Sequence, residues 1–149
     1  KKIKLIYGME AYMPSDDGNM IFHTSILVKN KEGLKNLYRL ISSAEQKNSE
    51  SLQLTMKCNI EKYREGLLIG SGCDKGELYC AMMEDKPFEE LCEVAAFYDY
   101  LEVVPNTIEA LIQINEEIVK IGQTIGKPVE QVLPILYSRW HQQQSTQAE

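Results

Sequence analysis

Three residues whose side chains can bind divalent metals stand far apart in this 149-residue sequence: Glu10, His23 and Cys73. A carboxylate, an imidazole and a thiolate together make a plausible metal set. Nitrogen and sulfur donors suit zinc, and the oxygen admits manganese or magnesium. Taken alone, residue type and spacing favour a structural reading. His23 sits among apolar neighbours as a core histidine would, Glu10 could cap or pair, and Cys73 could be a buried turn thiol. Other chemistries find less support. Gly70-Ser71-Gly72 lacks the downstream Gly-Lys-Ser/Thr of a phosphate loop, and the sequence has neither GxGxxG nor GxSxG. Asp16-Asp17 and Glu89-Glu90 read as solvated faces. Cys58, Cys80 and Cys92 form no CxxC pair and read as reduced, small buried hydrophobes.

The elements that must position these residues alternate in type. Residues 3–10 suit a buried strand that delivers Glu10 at its C-terminal end. Pro14, Asp16, Asp17 and Gly18 mark a turn over 12–19, and a second strand over 20–28 carries His23. Leu34, Leu37, Tyr38 and Ile41 recur at helical spacing, which predicts an amphipathic helix over 32–44 before a polar loop at 45–51. A short helix at 59–64 and a strand over 66–72 then lead into the turn that holds Cys73. Helices follow at 77–83 and 88–97, a strand at 98–104, and a helix from about 107 to 125, capped by Asn106 and ended by Gly126. This order predicts an α/β fold with mainly parallel strands, in which functional side chains gather at the C-terminal ends of strands. Glu10 and Cys73 fit that placement; His23 lies nearer the start or middle of its strand.

Hydrophobic residues make up 44% of the chain and charged ones 26%, enough apolar material for one soluble domain with a real core. No apolar run approaches the roughly 18 to 20 residues of a membrane span, and Lys1-Lys2 leads into a strand-like segment and not a signal peptide, so a cytoplasmic protein with no membrane association is expected. The net charge of −6 argues against direct nucleic-acid binding by the isolated acidic chain. Contact with nucleic acid would run through a metal ion or other parts of a larger protein.

Residues 61–77, EKYREGLLIGSGCDKGE, closely resemble a stretch of the PHP domain in PolC-type bacterial DNA polymerase III alpha subunits. IKLIYGMEA at 3–11 resembles that family's strand ending in a Gly-x-Glu metal motif. FHTSILVKNKEGLKNLYRLIS at 22–42 resembles its His-bearing strand and following helix, and FYDYLEVVP at 97–105 a later strand. The blocks keep the family's order. The resemblance implies a partial PHP-type distorted (β/α)7 barrel, with Glu10, His23 and Cys73 as three of a larger ligand set around divalent metals (zinc, manganese or magnesium). It implies a phosphoesterase, 3'-5' exonuclease-like or scaffold role within a replicative polymerase whose partners are DNA and replication proteins. The family's His-x-His and Thr-Asp-His motifs would lie before Lys1, and its Ala-Thr-Gly-x-x-His motif after Lys127-Pro128-Val129. Many PolC proteins also insert a proofreading exonuclease between the Glu and His strands, where only residues 13–21 stand here.

Residues 1–129 therefore read as the central part of a PHP domain, and 130–149 as a divergent C-terminal tail. A frameshift is one explanation of the tail, because codons permitted for Glu130 to Leu136 also encode Thr-Gly-Val-Ala-His-Phe in another frame. Two alternatives stay open: a stand-alone PHP phosphoesterase, against which the 61–77 block argues, and a non-catalytic remnant of a disrupted gene. With three of the family's ligands, the isolated chain is expected to bind metal weakly and to catalyse nothing.

Overall fold

Asp17 organises the first turn. Its carboxylate accepts hydrogen bonds from the Ser15 hydroxyl at 2.6 Å, from the Asn19 backbone N–H at 3.1 Å and from the Asn19 side chain at 2.6 Å, a local pattern that favours turns over regular structure. On either side, β1 (Gly8–Pro14) and β2 (Ile21–Val28) pair antiparallel. Alternation then sorts the side chains. Ala11, Met13, Phe22 and Ile26 are buried on one face, which puts Glu10, Tyr12, His23 and Ser25 on the other.

The structure, a computed structural model, describes residues 5–46, 53–72, 74–105 and 108–131. After β2, the Asn30 side chain accepts from the Gly33 N–H at 2.9 Å and caps α1 (Lys31–Ser42), which buries Leu37 and Leu40. β3 (Glu45–Gln46) and β4 (Gln53–Leu54) form a small antiparallel pair, and β4 meets β1 in parallel at Tyr12. α2 (Lys57–Lys62) precedes β5 (Leu67–Gly70), which lies antiparallel to β2. Next come α3 (Glu77–Met83), α4 (Phe88–Ala96), β6 (Leu101–Val103), α5 (Glu109–Ile125) and β7 (Val129–Gln131).

The strand order is β3-β4-β1-β2-β5, with β6 and β7 pairing in parallel as a second sheet. A parallel bridge between Gly70 and Tyr100, with the Ser71 N–H donating to the Tyr100 carbonyl at 3.2 Å, brings the second sheet alongside β5. Helices cover the apolar face. Ile26, Leu40, Ile60, Ile69, Leu91 and Leu101 are all fully buried there, each worth roughly 1.5–3 kcal/mol relative to exposure.

Strands and helices alternate as expected, and α3 has the predicted bounds, but strand direction needs correcting. Mainly parallel pairing was expected, whereas β2 is antiparallel to both of its neighbours. The connection at 15–20 is too short for the crossover that a parallel pair requires. Among the described residues the strands form an open order and no closed ring. Glu10 also differs from expectation. It is interior to β1, because Ala11 and Met13 continue the buried alternation and pair with Thr24 and Phe22 beyond the carboxylate.

Of the three cysteines expected to be buried, Cys58 is exposed and Cys80 and Cys92 are half-buried; all three are free thiols. The expected loop at 45–51 begins with β3. The expected cap Asn106 lies outside the described residues. α5 ends at Gly126, which has the left-handed conformation of a C-terminal stop (φ 70°). Glu130 and Gln131, the first two residues of the expected divergent tail, continue β7, and 132–149 lie outside the described residues.

Candidate metal centre

The β1–β2 register sets Glu10 opposite Ser25 and Tyr12 opposite His23, so Glu10 and His23 are diagonal neighbours on one face. The Glu10 Oε1 lies 3.1 Å from the His23 Nδ1, with the two side chains 23% and 12% exposed. A carboxylate accepts, so the contact favours the tautomer with its proton on Nδ1 and leaves the Nε2 lone pair for a metal or another donor. The Tyr12 ring packs edge-on against the imidazole, with centroids 4.9 Å apart, and limits ring rotation.

Gly72 and Lys75 meet the His23 backbone. The His23 N–H donates to the Lys75 carbonyl at 2.9 Å. Gly72 comes so close that a Cβ there would lie 2.2 Å from the His23 carbonyl oxygen. Cys73 follows Gly72 in sequence and lies outside the described residues.

One residue of this region was not among the candidates. Glu102 on β6 is only 4% exposed. The hydroxyls of Ser25 and Tyr100 hydrogen-bond to its carboxyl group, and its backbone N–H donates to the Ser71 Oγ at 3.0 Å. Gly70 makes the approach possible: a Cβ there would lie 2.3 Å from the Glu102 Oε1 and 2.5 Å from the Tyr100 hydroxyl oxygen. Burial pushes the Glu102 carboxyl above the ordinary carboxylate range; Ser25 and Tyr100 oppose the rise, and the Glu10 charge adds to it. Burial likewise raises the Tyr100 phenol, with the Glu102 charge next in effect. The sequence reading took 98–104 as a strand and passed over Glu102. Its one local signal is a carboxylate between apolar Leu101 and Val103.

A second polar cluster lies on the helix side. Glu77 accepts from Lys57 Nζ at 2.9 Å through each oxygen and from the fully buried Tyr98 hydroxyl at 2.8 Å. Burial, reinforced by the Glu77 charge, raises the Tyr98 phenol well above its ordinary value. This cluster ties α2 to α3.

The family model of the PHP domain matches residues 1–114, about three quarters of the chain. This chain belongs to the PHP domain family. Its curated relatives include a DNA polymerase III PolC-type from Halalkalibacterium halodurans, 42% identical over 120 residues, and one from Bacillus subtilis, 40% identical over 121. Each match covers 72% of this chain and 8% of the relative. A DNA polymerase III PolC-type from Thermotoga petrophila is 49% identical over 84 residues, 56% of this chain and 6% of the relative. The PHP chain thus spans less than a tenth of the length of these curated relatives.

The matched PHP region contains Glu10, His23, Cys73 and Glu102. As metal donors, Glu10 and His23 are of suitable type and already in contact. Among the described residues of this PHP domain, no group of three or more His, Cys, Asp or Glu is placed to hold a metal ion. The described donors therefore fit a metal as a partial set. No described helix is long and apolar enough to cross a membrane.

Proposed function

We propose that this chain is the PHP-domain portion of a PolC-type replicative DNA polymerase, in which Glu10, His23 and Cys73 are donors to a divalent cation, whether zinc, manganese or magnesium. The contact between the Glu10 Oε1 and the His23 Nδ1 carries this reading, because it brings an oxygen and a nitrogen donor onto one covered spot of the sheet. Gly72 supports the third donor, since it packs on the His23 carbonyl and directly precedes Cys73 in sequence. In the whole polymerase, further strands and donors would complete the distorted (β/α)7 barrel. DNA and replication proteins are partners of that polymerase in the cytoplasm, and the acidic chain itself does not bind the phosphate backbone.

A bound divalent cation supplies charge against a phosphate ester and lowers the pKa of water. The role that a partial donor set supports best is a metal-held scaffold for the polymerase core. A titration of the isolated chain with zinc tests it: weak binding is expected, weakened further by His23→Ala. Tight stoichiometric zinc would overturn the reading of a partial donor set, and phosphoesterase activity that disappears in His23→Ala would overturn the scaffold role. Sequencing the gene on both sides tests membership in the polymerase. A polymerase reading frame downstream is expected; a short phosphoesterase gene, or stop codons in every frame, would refute it.

A further inference from the structure

We infer that Glu102 is a positioning residue for the Glu10–His23 pair, gripping from β6 both the strand that carries His23 and the turn that packs against it. What the pair binds rests on the proposed function above; the positioning itself rests on geometry alone.

A single row crosses β1, β2 and β5 and reaches Tyr100, just before β6. Glu10 pairs with Ser25, Ser25 with Gly70, and Gly70 with Tyr100. Gly70 leaves a gap in that row, and the Glu102 carboxyl and Tyr100 phenol fill it. From there Glu102 hydrogen-bonds to Ser25, directly across from Glu10 and two residues from His23 on the same face. Its second arm is the backbone N–H, which holds the Ser71 Oγ. Ser71 precedes Gly72, whose Cα rests on the His23 carbonyl. β2 and the turn against it are thus held by one buried residue from two directions.

A packing role alone does not account for this side chain. Burying a carboxyl costs desolvation free energy, and a leucine would fill a strand position without that cost. The return is directional: hydroxyls of Ser25 and Tyr100 aimed at one carboxyl fix the level at which Glu10 and His23 meet. Groups that orient a metal ligand in this way typically change metal affinity 10–100-fold when removed.

The test uses the full chain with nitrogen-15-labelled histidine. The His23 imidazole signals are assigned by their loss in His23→Ala, which separates them from those of His141, and amide spectra report the fold of every variant. In the wild type one tautomer is expected, protonated at Nδ1. Glu102→Leu should lose that single tautomer, whereas Glu102→Gln should retain it, because an amide can still bond to Ser25 and Tyr100. Unchanged His23 signals in folded Glu102→Leu would overturn the inference, as would equal disturbance by Glu102→Gln. Should Glu102→Leu fail to fold, Glu102→Met decides in the same way, since its unbranched side chain fills the space and leaves the Ser25 and Tyr100 hydroxyls without the carboxyl. Cobalt(II) titration gives a second readout, with affinity lower by about 10–100-fold in Glu102→Leu and restored toward wild type in Glu102→Gln. If the wild-type chain takes up no cobalt, the metal reading fails, and the imidazole signals alone decide the role of Glu102.

Discussion

Glu10 and His23, 13 residues apart in sequence, meet through a carboxylate oxygen and an imidazole nitrogen separated by 3.1 Å. The contact is diagonal across an antiparallel pair, and so it depends on the hairpin register. A slip of one residue would turn either side chain to the opposite face. The turn built on Asp17 and the burial of Met13 and Phe22 hold that register.

Metal removal should leave the fold of the isolated chain intact. Glu10 and His23 are held by strand pairing and core burial, not by a metal, and a partial donor set binds weakly. The expected melting temperature is the same with and without a chelator. A clear fall on chelation, followed by circular dichroism, would refute this.

Gly70→Ala should destabilise the protein by about 1–3 kcal/mol, the usual cost of forcing an added group into a filled space. The new methyl would meet the buried Glu102 carboxyl and the half-buried Tyr100 phenol. Urea unfolding measures the difference, and a change near zero would mean that β6 yields at this point.

Glu77→Ala should cost about 1–3 kcal/mol, because it strands the buried Tyr98 hydroxyl without its acceptor. Lys57→Ala should cost about 1 kcal/mol or less, since its ion pair with Glu77 is partly solvated. Comparing the two unfolding curves checks the order; a larger loss in Lys57→Ala would reverse the assignment.

Glu102 should make stability fall as pH rises. Burial lifts its carboxyl above the ordinary value of 4.5, so the folded chain holds that proton more tightly than the unfolded chain does. Its contribution is fully present below 4.5 and is lost as pH climbs through the folded value. Glu102→Gln, which cannot ionise, should show a flatter profile over that window. Parallel profiles in urea midpoints against pH would mean that Glu102 titrates alike in both states.

Parts of this architecture could be read directly. The bounds of α3 follow from Leu78, Ala81 and Met82 at helical spacing, and Gly126 ends α5 as its position suggests. Glu10 and His23 were picked out as donors, and the structure brings their side chains together. Glu102 was not picked out, because nothing next to it in sequence reveals its partners. Those partners, Ser25, Ser71 and Tyr100, come from β2, the turn after β5 and the approach to β6.

The sequence by itself determined the family, the alternation of strands and helices, and which side chains have donor chemistry. Helical periodicity, turn residues and caps act within a few residues of one another and so leave a local trace. Only the tertiary structure decided that β2 runs antiparallel to β5, that Glu10 lies inside its strand, and that Glu102 is buried against the row that runs from Glu10 to Tyr100. The β2–β5 pairing and the placement of Glu102 arise from contacts between residues tens of positions apart, where no short window of sequence carries the information.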